Sequence, residues 1–288
     1  MYVDKLYKYL PFDGDLNEKA HQKRKIGFEK GEIWYSKSRN LNDPYDCRPV
    51  ITINNKSISE IIGLLSKEET EFLRTKIKFD KIETLISKIS NPQKIKYGNS
   101  IIEQYMIRHA FTSWIYYLQS SKLANIGILS LTTKNNSILM WSHYAKNHSG
   151  ICIGFERNKE NPLGSNRTRK VRYLKNRPKL SLLETMHEKF GKADLMLFRK
   201  SYHWKEENEW RICQPEGNKT YPYPGELSEI IFGANFPPKN MKIVKQIFGG
   251  RVKYFMAELG NDYEIIIKSV PNDVLHLDGN FATLHSRR

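Results

Sequence analysis

The stretch that decides the fold is KSYHWKEENEWRIC, residues 200–213, in which three glutamates lie between two tryptophans. Because side chains alternate between the two faces of a strand, an extended segment would place Glu207, Glu209 and Arg211 on one face and Trp210 on the other. Carboxylates on one face repel each other unless a cation, a ligand or water lies over them. The stretch therefore predicts either a strand whose polar face belongs to a functional site or a solvated edge strand.

The charge of the chain points to a class of partner. The 288 residues carry a formal net charge of +16, with a local density of basic residues in RTRKVRYLKNR, residues 167–177. Such an excess favours a polyanion, so nucleic acid is the expected partner. The alternative is that a lysine-rich composition only keeps the protein in solution. The length suffices for a sizeable core, and we predict one domain over residues 1–288 with a helical insertion at 56–118.

The cysteines and the apolar pattern exclude several classes of protein. Cys47, Cys152 and Cys213 lie far apart, without the spacing of a disulfide framework or of a zinc finger. The first residues do not have the pattern of a signal peptide, and no apolar run approaches the 18 residues of a membrane span. The sequence therefore predicts a cytoplasmic protein that does not bind a membrane.

The remaining pattern alternates strands with helices. Strand composition is found at residues 5–10, 31–36, 129–132, 151–155 and 207–213. Helical patterns are found at residues 17–30, 138–147, 180–198 and 240–248, with Ser137 as a cap residue and Gly31 as a helix end. Between these parts, residues 56–118 are long, polar and helical in pattern. We therefore predict an α+β fold with a central, split, mostly antiparallel sheet and a helical lobe beside it.

The loop at residues 38–48, SRNLNDPYDCR, is rich in turn-forming residues. Asp43 before Pro44 fixes a turn through side-chain hydrogen bonds and a restricted φ, which favours a structural brace. The alternative is that the rigid backbone lines a pocket, which leaves Asn42 and Asp46 open for binding. The candidate substrate-binding residues are Asn42, Asp46, Lys200 and Trp204.

Four segments appear in a fixed order: SRNLNDPYDC, then SLTT with ILMWSHYAKNHSGICIGF, then K…W..E.EWR, then EIIFGANFP. Together they resemble a prokaryotic family catalogued as a domain of unknown function (number 2971), whose genome neighbourhoods include antiviral defence genes. The resemblance covers most of the chain apart from the helical insertion and the tail. It implies a defence role, with a neighbouring antitoxin or defence protein as a partner, but it implies no activity.

The order of elements is also similar to that of the mono-ADP-ribosyltransferases. In that fold a glutamate on a strand stabilises the oxocarbenium-like centre while nicotinamide leaves NAD. The resemblance implies that Glu209 is this catalytic residue, with Glu207 orienting or deprotonating the acceptor. It implies NAD as the substrate and a toxin or antiphage effector that modifies nucleic acid or a protein.

The same resemblance implies a set of residues that bind NAD. These are Lys8, Tyr9, Ser130, Thr132, Trp141, Tyr144 and Arg211. Tyr144 would stack on the nicotinamide ring. The first strand departs from the main subclasses, because it offers Lys8 and Tyr9 in place of an arginine or histidine, and a glycine-rich phosphate loop is missing from the sequence. If Lys8 does not hold the phosphates, Arg39 or Arg211 must do so.

Two further functions fit the same residues. In a metal-dependent nuclease, Asp43, Asp46, Glu207 and Glu209 would converge on Mg²⁺, with Lys200 supporting the transition state. In a non-catalytic nucleic-acid-binding or sensor module, Arg211 and other internal cations would neutralise the carboxylates. His143 has no second ligand at helical spacing, so we predict that it is hydrogen-bonded rather than metal-bound.

Overall fold

A computed structural model of the chain describes residues 4–52, 125–181 and 196–270. The chain divides into two compact units. Unit 1 takes in Met1–Lys37, Ile126–Tyr173 and Tyr202–Arg288, and unit 2 takes in Ser38–Asn125 and Leu174–Ser201. The predicted helical insertion at 56–118 lies outside the described residues, as does most of the helix predicted at 180–198. No helix within the described ranges is both long and apolar enough to cross a membrane.

Strands make up most of the described regular structure. In chain order they are β1 (Lys5–Leu10), β2 (Glu32–Lys37), β3 (Val50–Thr52), β4 (Gly127–Thr132), β5 (Ile151–Glu156), β6 (Thr168–Lys170), β7 (Arg172–Leu174), β8 (Lys179–Ser181), β9 (Arg199–Ser201), β10 (Glu209–Gln214), β11 (Lys219–Pro222), β12 (Leu227–Phe232), β13 (Lys253–Leu259) and β14 (Ile265–Ser269). The α-helices are α1 (Lys19–Glu29), α2 (Ile138–Tyr144) and α3 (Met241–Phe248). Short 3₁₀ helices occur at Ser38–Asn40, Tyr202–Glu207, Pro238–Asn240 and Gly249–Arg251.

One large sheet organises unit 1. Its strand order is β11-β2-β4-β1-β5-β12-β13-β14, with β10 on β4 and β6 on β10. Every pairing in this sheet is antiparallel except that of β12 with β13. The predicted α+β class with a mostly antiparallel sheet is therefore confirmed.

Strand β4 is where the sheet splits. Its whole length pairs with β10, from Gly127 opposite Gln214 to Thr132 opposite Glu209. Because a strand has only two edges, the remaining edge is shared. It pairs with β2 at Gly127 and with β1 at Thr132, where Tyr7 is the partner. The end of β4 therefore brings together the start of β10 and the middle of β1.

The two faces of the sheet are covered by different helices. One face packs with α1 and α3 in a core that includes Leu6, Phe28, Ile153, Phe232, Val244 and Phe248. The other face packs with α2 in a smaller cluster that includes Tyr7, Tyr9, Trp141, Ala145, Cys152 and Ile231. Both faces of β5 are buried, which matches its continuous apolar sequence ICIGF. Burial of each large apolar side chain contributes about 1.5–3 kcal/mol.

Glycine at position 154 makes room on the α2 face. A Cβ at Gly154 would lie 2.5 Å from Cγ of Glu229 and 3.0 Å from Cε1 of Tyr7. Glu229 is 5% exposed, and it accepts hydrogen bonds from the Lys5 ammonium at 2.6 Å and from the Tyr7 hydroxyl at 3.3 Å. The missing side chain therefore allows a buried carboxylate to reach its two donors.

Helix ends agree with the sequence at α1 and differ at α2. Helix α1 ends before Gly31, whose φ of +69° is the left-handed value expected of a helix-terminating glycine. Ser137 caps α2, since its Oγ accepts from the Met140 N–H. The predicted extension of this helix to residue 147 is wrong. Lys146 and Asn147 adopt positive φ, which a right-handed helix does not allow.

The deciding stretch is only partly a strand. Strand β10 begins at Glu209, two residues later than the predicted 207. Residues up to Glu207 form a 3₁₀ helix, and Asn208 has a φ of +46°, a conformation that asparagine tolerates better than most residues. Glu207 is therefore not on the strand that carries Glu209.

A second difference concerns the predicted helix at residues 180–198. Its first two residues belong to β8, which pairs in parallel with β3 from Val50 opposite Lys179 to Thr52 opposite Ser181. This pairing takes the start of the segment into a two-stranded sheet within unit 2. Sequence periodicity does not report a partner strand that lies 129 residues away along the chain.

Candidate functional site

Strand register places most of the predicted NAD-binding residues on one face of the unit 1 sheet. Across three neighbouring strands, Glu209 pairs with Thr132 and Thr132 pairs with Tyr7. Ser130 pairs in the same way with Arg211. Directly opposed residues project to the same side, and Tyr7 belongs to the cluster under α2. The face covered by α2 is therefore the one that carries the polar side chains of β4 and β10.

Lys8 is the exception. It lies between Tyr7 and Tyr9 in β1, so its side chain projects to the opposite face. Its partner in β5 is Ile153, which belongs to the core under α1 and α3. The resemblance groups Lys8 with Tyr9, and the register separates the two. Lys8 does not share a face with Glu209.

Glu209 and Arg211 form an internal ion pair on the α2 face. Arg211 Nε donates to Glu209 Oε1 at 2.7 Å, and a terminal nitrogen donates to Oε2 at 2.9 Å. Exposure is 3% for Glu209 and zero for Arg211. A bidentate arginine–carboxylate pair is among the strongest side-chain interactions, because both charges are satisfied in fixed geometry. The sequence suggested two mutually repelling carboxylates on this face, whereas the observed neighbour of Glu209 is a cation.

The backbone of Glu209 is held as well. Its N–H donates to the hydroxyl of Tyr173 at 2.8 Å, and its carbonyl accepts from the N–H of Val171 at 2.9 Å. Burial is the main reason that the pKa of Tyr173 lies well above its usual range, so the phenol stays neutral. Hydrogen bonds to both the side chain and the backbone of Glu209 therefore fix the start of β10.

Glu207 has a different environment. The Tyr144 hydroxyl of α2 donates to Glu207 Oε1 at 2.5 Å. This length is typical of a hydroxyl that donates to an ionised carboxylate. The glutamate comes from the last turn of the 3₁₀ helix and the tyrosine from the last turn of α2. Two short helices thus bring an acid and a phenol together beside the end of β4.

Two aromatic rings lie next to Tyr144 of this pair. The exposed ring of His143 makes edge contacts with Tyr144 and Trp204, at centroid distances of 6.3 Å in each case. His143 was predicted to be hydrogen-bonded, whereas among the described residues it makes ring contacts and no hydrogen bond. We refer to His143 and Trp204 as the aromatic rim.

The loop between β4 and α2 is held by residues of β1, of α2 and of the turn before β10. The hydroxyl of Tyr9 donates to the Lys134 carbonyl, and Nε1 of Trp141 donates to the Asn135 carbonyl, both at 3.0 Å. The Asn208 amide donates to Oγ1 of Thr133. Trp141 is completely buried and meets Tyr9 edge to face. Tyr9 and Trp141 therefore position the loop instead of reaching solvent.

One cation and one carboxylate of the loop region are exposed. Lys134 Nζ lies 3.3 Å from Glu206 Oε2, with side-chain exposures of 40% and 55%. Such exposed pairs contribute little to stability and open easily. Lys134 can therefore exchange Glu206 for another anion.

The remaining substrate-binding candidates divide between the units. Trp204 belongs to unit 1, whereas Asn42, Asp46 and Lys200 belong to unit 2. Within unit 2, Asp46 is 2% exposed and its Oδ2 lies 3.8 Å from Lys200 Nζ, while Asn42 is exposed. Asp43 accepts from the Tyr45 N–H at 2.9 Å, which is the expected turn brace. Arg39 is exposed at the 3₁₀ helix Ser38–Asn40.

The nuclease hypothesis requires a group of side chains that could bind a metal ion. Over residues 4–52, 125–181 and 196–270, no three histidine, cysteine, aspartate or glutamate side chains are grouped so that they could hold a metal ion. Within unit 2 this holds for Asp43 and Asp46, and within unit 1 for Glu207 and Glu209.

Several residues of the site have little signal in the sequence. Tyr173, Lys134 and Asn208 join it through the register of β10 and the path of the loop after β4. Asn208 alone has a readable signal, because asparagine between two charged residues at the start of a strand favours a left-handed turn. Tyr173 lies in a basic segment in which the sequence draws attention only to the charges.

Comparison with known families agrees with the resemblance. Residues 140–212 match the model of the family described as "Protein of unknown function (DUF2971)". The match runs from α2 to β10 and thus spans Trp141, Tyr144, Trp204, Glu207 and Glu209. Comparisons with curated proteins and with solved structures gave no match.

Proposed function

We propose that this member of the DUF2971 family is an NAD-dependent mono-ADP-ribosyltransferase in which Glu207, oriented by Tyr144, is the catalytic carboxylate. The observation that carries the proposal is the 2.5 Å hydrogen bond between the Tyr144 hydroxyl and Glu207. It fixes one carboxylate beside an aromatic rim and an exposed lysine. The roles of toxin and of antiphage effector, implied by the resemblance, remain predictions.

The chemistry needs a carboxylate where positive charge develops. As the bond from C1′ of the ribose to the nicotinamide nitrogen breaks, the ring acquires oxocarbenium character and nicotinamide leaves with the electron pair. A carboxylate held in place beforehand stabilises this charge without reorganisation during the reaction. The acceptor nucleophile then forms the new bond to C1′ and releases its proton to the Glu207 carboxylate. Tyr144 restricts Glu207 in this way, because its hydroxyl binds one of the two oxygens.

The surrounding residues suit the rest of the dinucleotide. Rings of His143 and Trp204 offer flat surfaces on which nicotinamide or adenine can stack. The ammonium group of Lys134 is a cation for the diphosphate, once it leaves Glu206. Lys8, on the opposite face of the sheet, takes no part in this arrangement.

Glu209 has a supporting role in this proposal. Arg211 binds both of its oxygens, and its side chain is 4% exposed. A carboxylate so neutralised offers little charge to a developing cation. The ion pair instead fixes the start of β10, from which Asn208 and Glu207 extend. Glu209 is thus a positioning residue, in place of the catalytic residue that the resemblance implies.

Nicotinamide release from purified protein tests the proposal. Glu207→Gln should lower the rate by about 10²–10³-fold while NAD binding is nearly unchanged, because one preorganised electrostatic group is lost. Glu209→Gln, assayed under conditions in which the variant is folded, should release nicotinamide faster than Glu207→Gln. The opposite ranking would return the catalytic role to Glu209. Wild-type protein that releases no nicotinamide with any nucleic acid or protein acceptor would contradict the transferase function.

A second function, a non-catalytic nucleic-acid-binding or sensor module, is favoured by one observation. The Glu209–Arg211 pair is the internal neutralisation that this function predicts for the carboxylates. Thermal unfolding with NAD separates the two functions, since a ligand at a hundred times its Kd adds about 2.7 kcal/mol to stability. A sensor module should bind nucleic acid with no NAD-dependent shift and no nicotinamide release. The nuclease alternative predicts cleavage of nucleic acid that needs added Mg²⁺ and is lost with a chelator, so the same protein is also assayed under these two conditions.

A further inference from the structure

A group of exposed cations lies along one edge of the unit 1 sheet. Strand β6 pairs with β10, and no strand of the described residues pairs with its other edge. The segment around it reads RTRKVR, residues 167–172, with no acidic residue. Its four cationic side chains, Arg167, Arg169, Lys170 and Arg172, are all exposed, and we call them the basic strip.

Three of the four cations of the strip are distant from any described carboxylate. Among the described residues, none of Arg167, Lys170 and Arg172 forms an ion pair with a carboxylate. A fifth cation lies beside them, because the guanidinium of Arg157 packs 4.9 Å from the ring centre of Trp210, the residue that pairs with Lys170. Arg169 and Lys170 project to opposite faces of β6, because they pair with Arg211 and Trp210. The cations therefore flank both sides of an open edge, and their mutual repulsion falls when an anion lies along it. The strip is therefore a site of positive potential that an extended polyanion would relieve.

The strip leads to the candidate site. Lys170 lies opposite Trp210, and the next residue, Val171, binds the carbonyl of Glu209 through its N–H at 2.9 Å. Two residues further on, the Tyr173 hydroxyl accepts from the Glu209 N–H. Residues 167–173 thus run along β10 toward its first residue, Glu209. Asn208 and Glu207 immediately precede Glu209 in the chain. An extended ligand on the strip would therefore approach the Glu207–Tyr144 pair.

We propose that the basic strip binds the phosphodiester backbone of a nucleic acid and that this nucleic acid is the acceptor for ADP-ribose. The acceptor role depends on the proposed function, whereas the binding of nucleic acid does not. Arginine forks match phosphate oxygens in a bidentate manner, and these contacts carry no sequence information. Extended at about 3.3 Å per residue, the segment spans roughly 17 Å, which corresponds to about five phosphates of one DNA strand.

The binding test uses fluorescent single-stranded DNA, single-stranded RNA and duplex DNA without NAD. The test variant is Arg167→Gln/Lys170→Gln/Arg172→Gln. The matched control is Lys19→Gln/Lys23→Gln/Lys30→Gln, which removes the same three charges from exposed positions in and just after α1. Each single-strand phosphate contact contributes about 0.7 to the slope of log K against log salt. We expect the strip variant to lose about 2 from this slope and about 100-fold in affinity at 0.1 M salt.

The outcomes separate binding from catalysis. Equal losses in the strip variant and the control would show that only the net charge matters, which would overturn the proposal. Normal binding by the strip variant would also overturn it. A preference for single strands or for duplex identifies the form of nucleic acid that the strip accepts. If the strip variant loses nucleic-acid binding and modification but still releases nicotinamide into water, the strip serves the acceptor. If wild-type protein binds nucleic acid through the strip but never releases nicotinamide, the binding stands and the acceptor role fails together with the transferase.

Discussion

Glu209 and Arg211, two residues apart on one strand, neutralise each other inside the protein. Both carboxylate oxygens of Glu209 accept from the guanidinium, at 2.7 and 2.9 Å. Removal of one partner leaves the other charge buried without compensation, which is costlier than loss of the whole pair. The pair can therefore be tested separately from the reaction.

We expect Arg211→Met to lower the free energy of unfolding by about 3–5 kcal/mol, because it strands the Glu209 carboxylate. The double variant Glu209→Leu/Arg211→Met should recover most of this loss. Urea denaturation of the two variants and of wild type measures both values. A single variant within 1 kcal/mol of wild type would show that the pair does not hold the start of β10.

The hydrogen bond from Tyr144 to Glu207 should matter for rate more than for stability. Hydrogen bonds to charged groups contribute about 1.5–3 kcal/mol, so Tyr144→Phe should slow nicotinamide release roughly 10- to 100-fold. The control is Tyr202→Phe in the neighbouring 3₁₀ helix, whose hydroxyl accepts from Lys205 at 2.9 Å and does not contact Glu207. The rate of this control should stay at the wild-type value. Equal effects of the two variants would contradict the role given to Tyr144.

Stability should fall in mild acid because of His148. Burial lowers the pKa of His148 from its ordinary 6.5, so the folded state favours the neutral ring. Its Nε2 lies 3.0 Å from Ser142 Oγ, whose own hydrogen is donated to the Ile138 carbonyl, and its buried Nδ1 has no hydrogen-bond partner among the described residues. Protonation would turn Nδ1 into a donor without an acceptor.

The sign follows from proton binding. Below pH 6.5 His148 becomes protonated in the unfolded state but stays neutral in the folded state. The free energy of unfolding therefore falls as the pH falls toward the lowered pKa. His148→Asn keeps a residue that tolerates the observed φ of +67° but cannot titrate in this range. Urea unfolding at pH 7.5 and pH 5 should show a smaller drop for the variant. The same drop in both proteins would assign the acid sensitivity to other groups.

Gly154→Ala tests the close packing around Glu229. The new methyl group would lie 2.5 Å from Glu229 Cγ, so side chains must shift, and we expect a loss of about 1–3 kcal/mol. Gly250→Ala is the control, since a Cβ there meets nothing within 4 Å and the stability should change by less than about 0.5 kcal/mol. Thermal unfolding of the two proteins compares them directly. Similar stabilities would mean that Glu229 has room to move.

Much of the sheet could be predicted from the sequence because each strand has a strong local signal. Strand β1 matches its predicted range of 5–10, and β4 and β5 begin or end within two residues of theirs. Alternation and bounding turn residues are properties of a few neighbouring residues, so they can be read without knowledge of the fold. The end of α2 at Tyr144 could not be read, because three consecutive residues with positive φ are stabilised by contacts with distant segments.

The site was harder to predict than the sheet. Periodicity placed Glu207 and Glu209 on one face, but a single left-handed residue, Asn208, ends the strand between them. The resemblance groups Lys8 with Tyr9 as first-strand residues, although adjacent residues of a strand face opposite ways. The pairing of Glu209 with Arg211 was open to prediction, because two residues of opposite charge at a spacing of two project from the same face of a strand.

The sharing of β4 between β1, β2 and β10 has a consequence for how the protein folds. The sheet is complete at this point only when residues 7 and 209 have both paired with residue 132. More than 200 residues of chain separate residue 7 from residue 209. Contacts so distant in sequence are formed against a large loop-closure entropy and slow the folding of a domain. A partly synthesised chain that lacks β10 leaves one edge of β4 without its partner. The residues around Glu207 therefore come together only late, so that a nascent chain carries no assembled site.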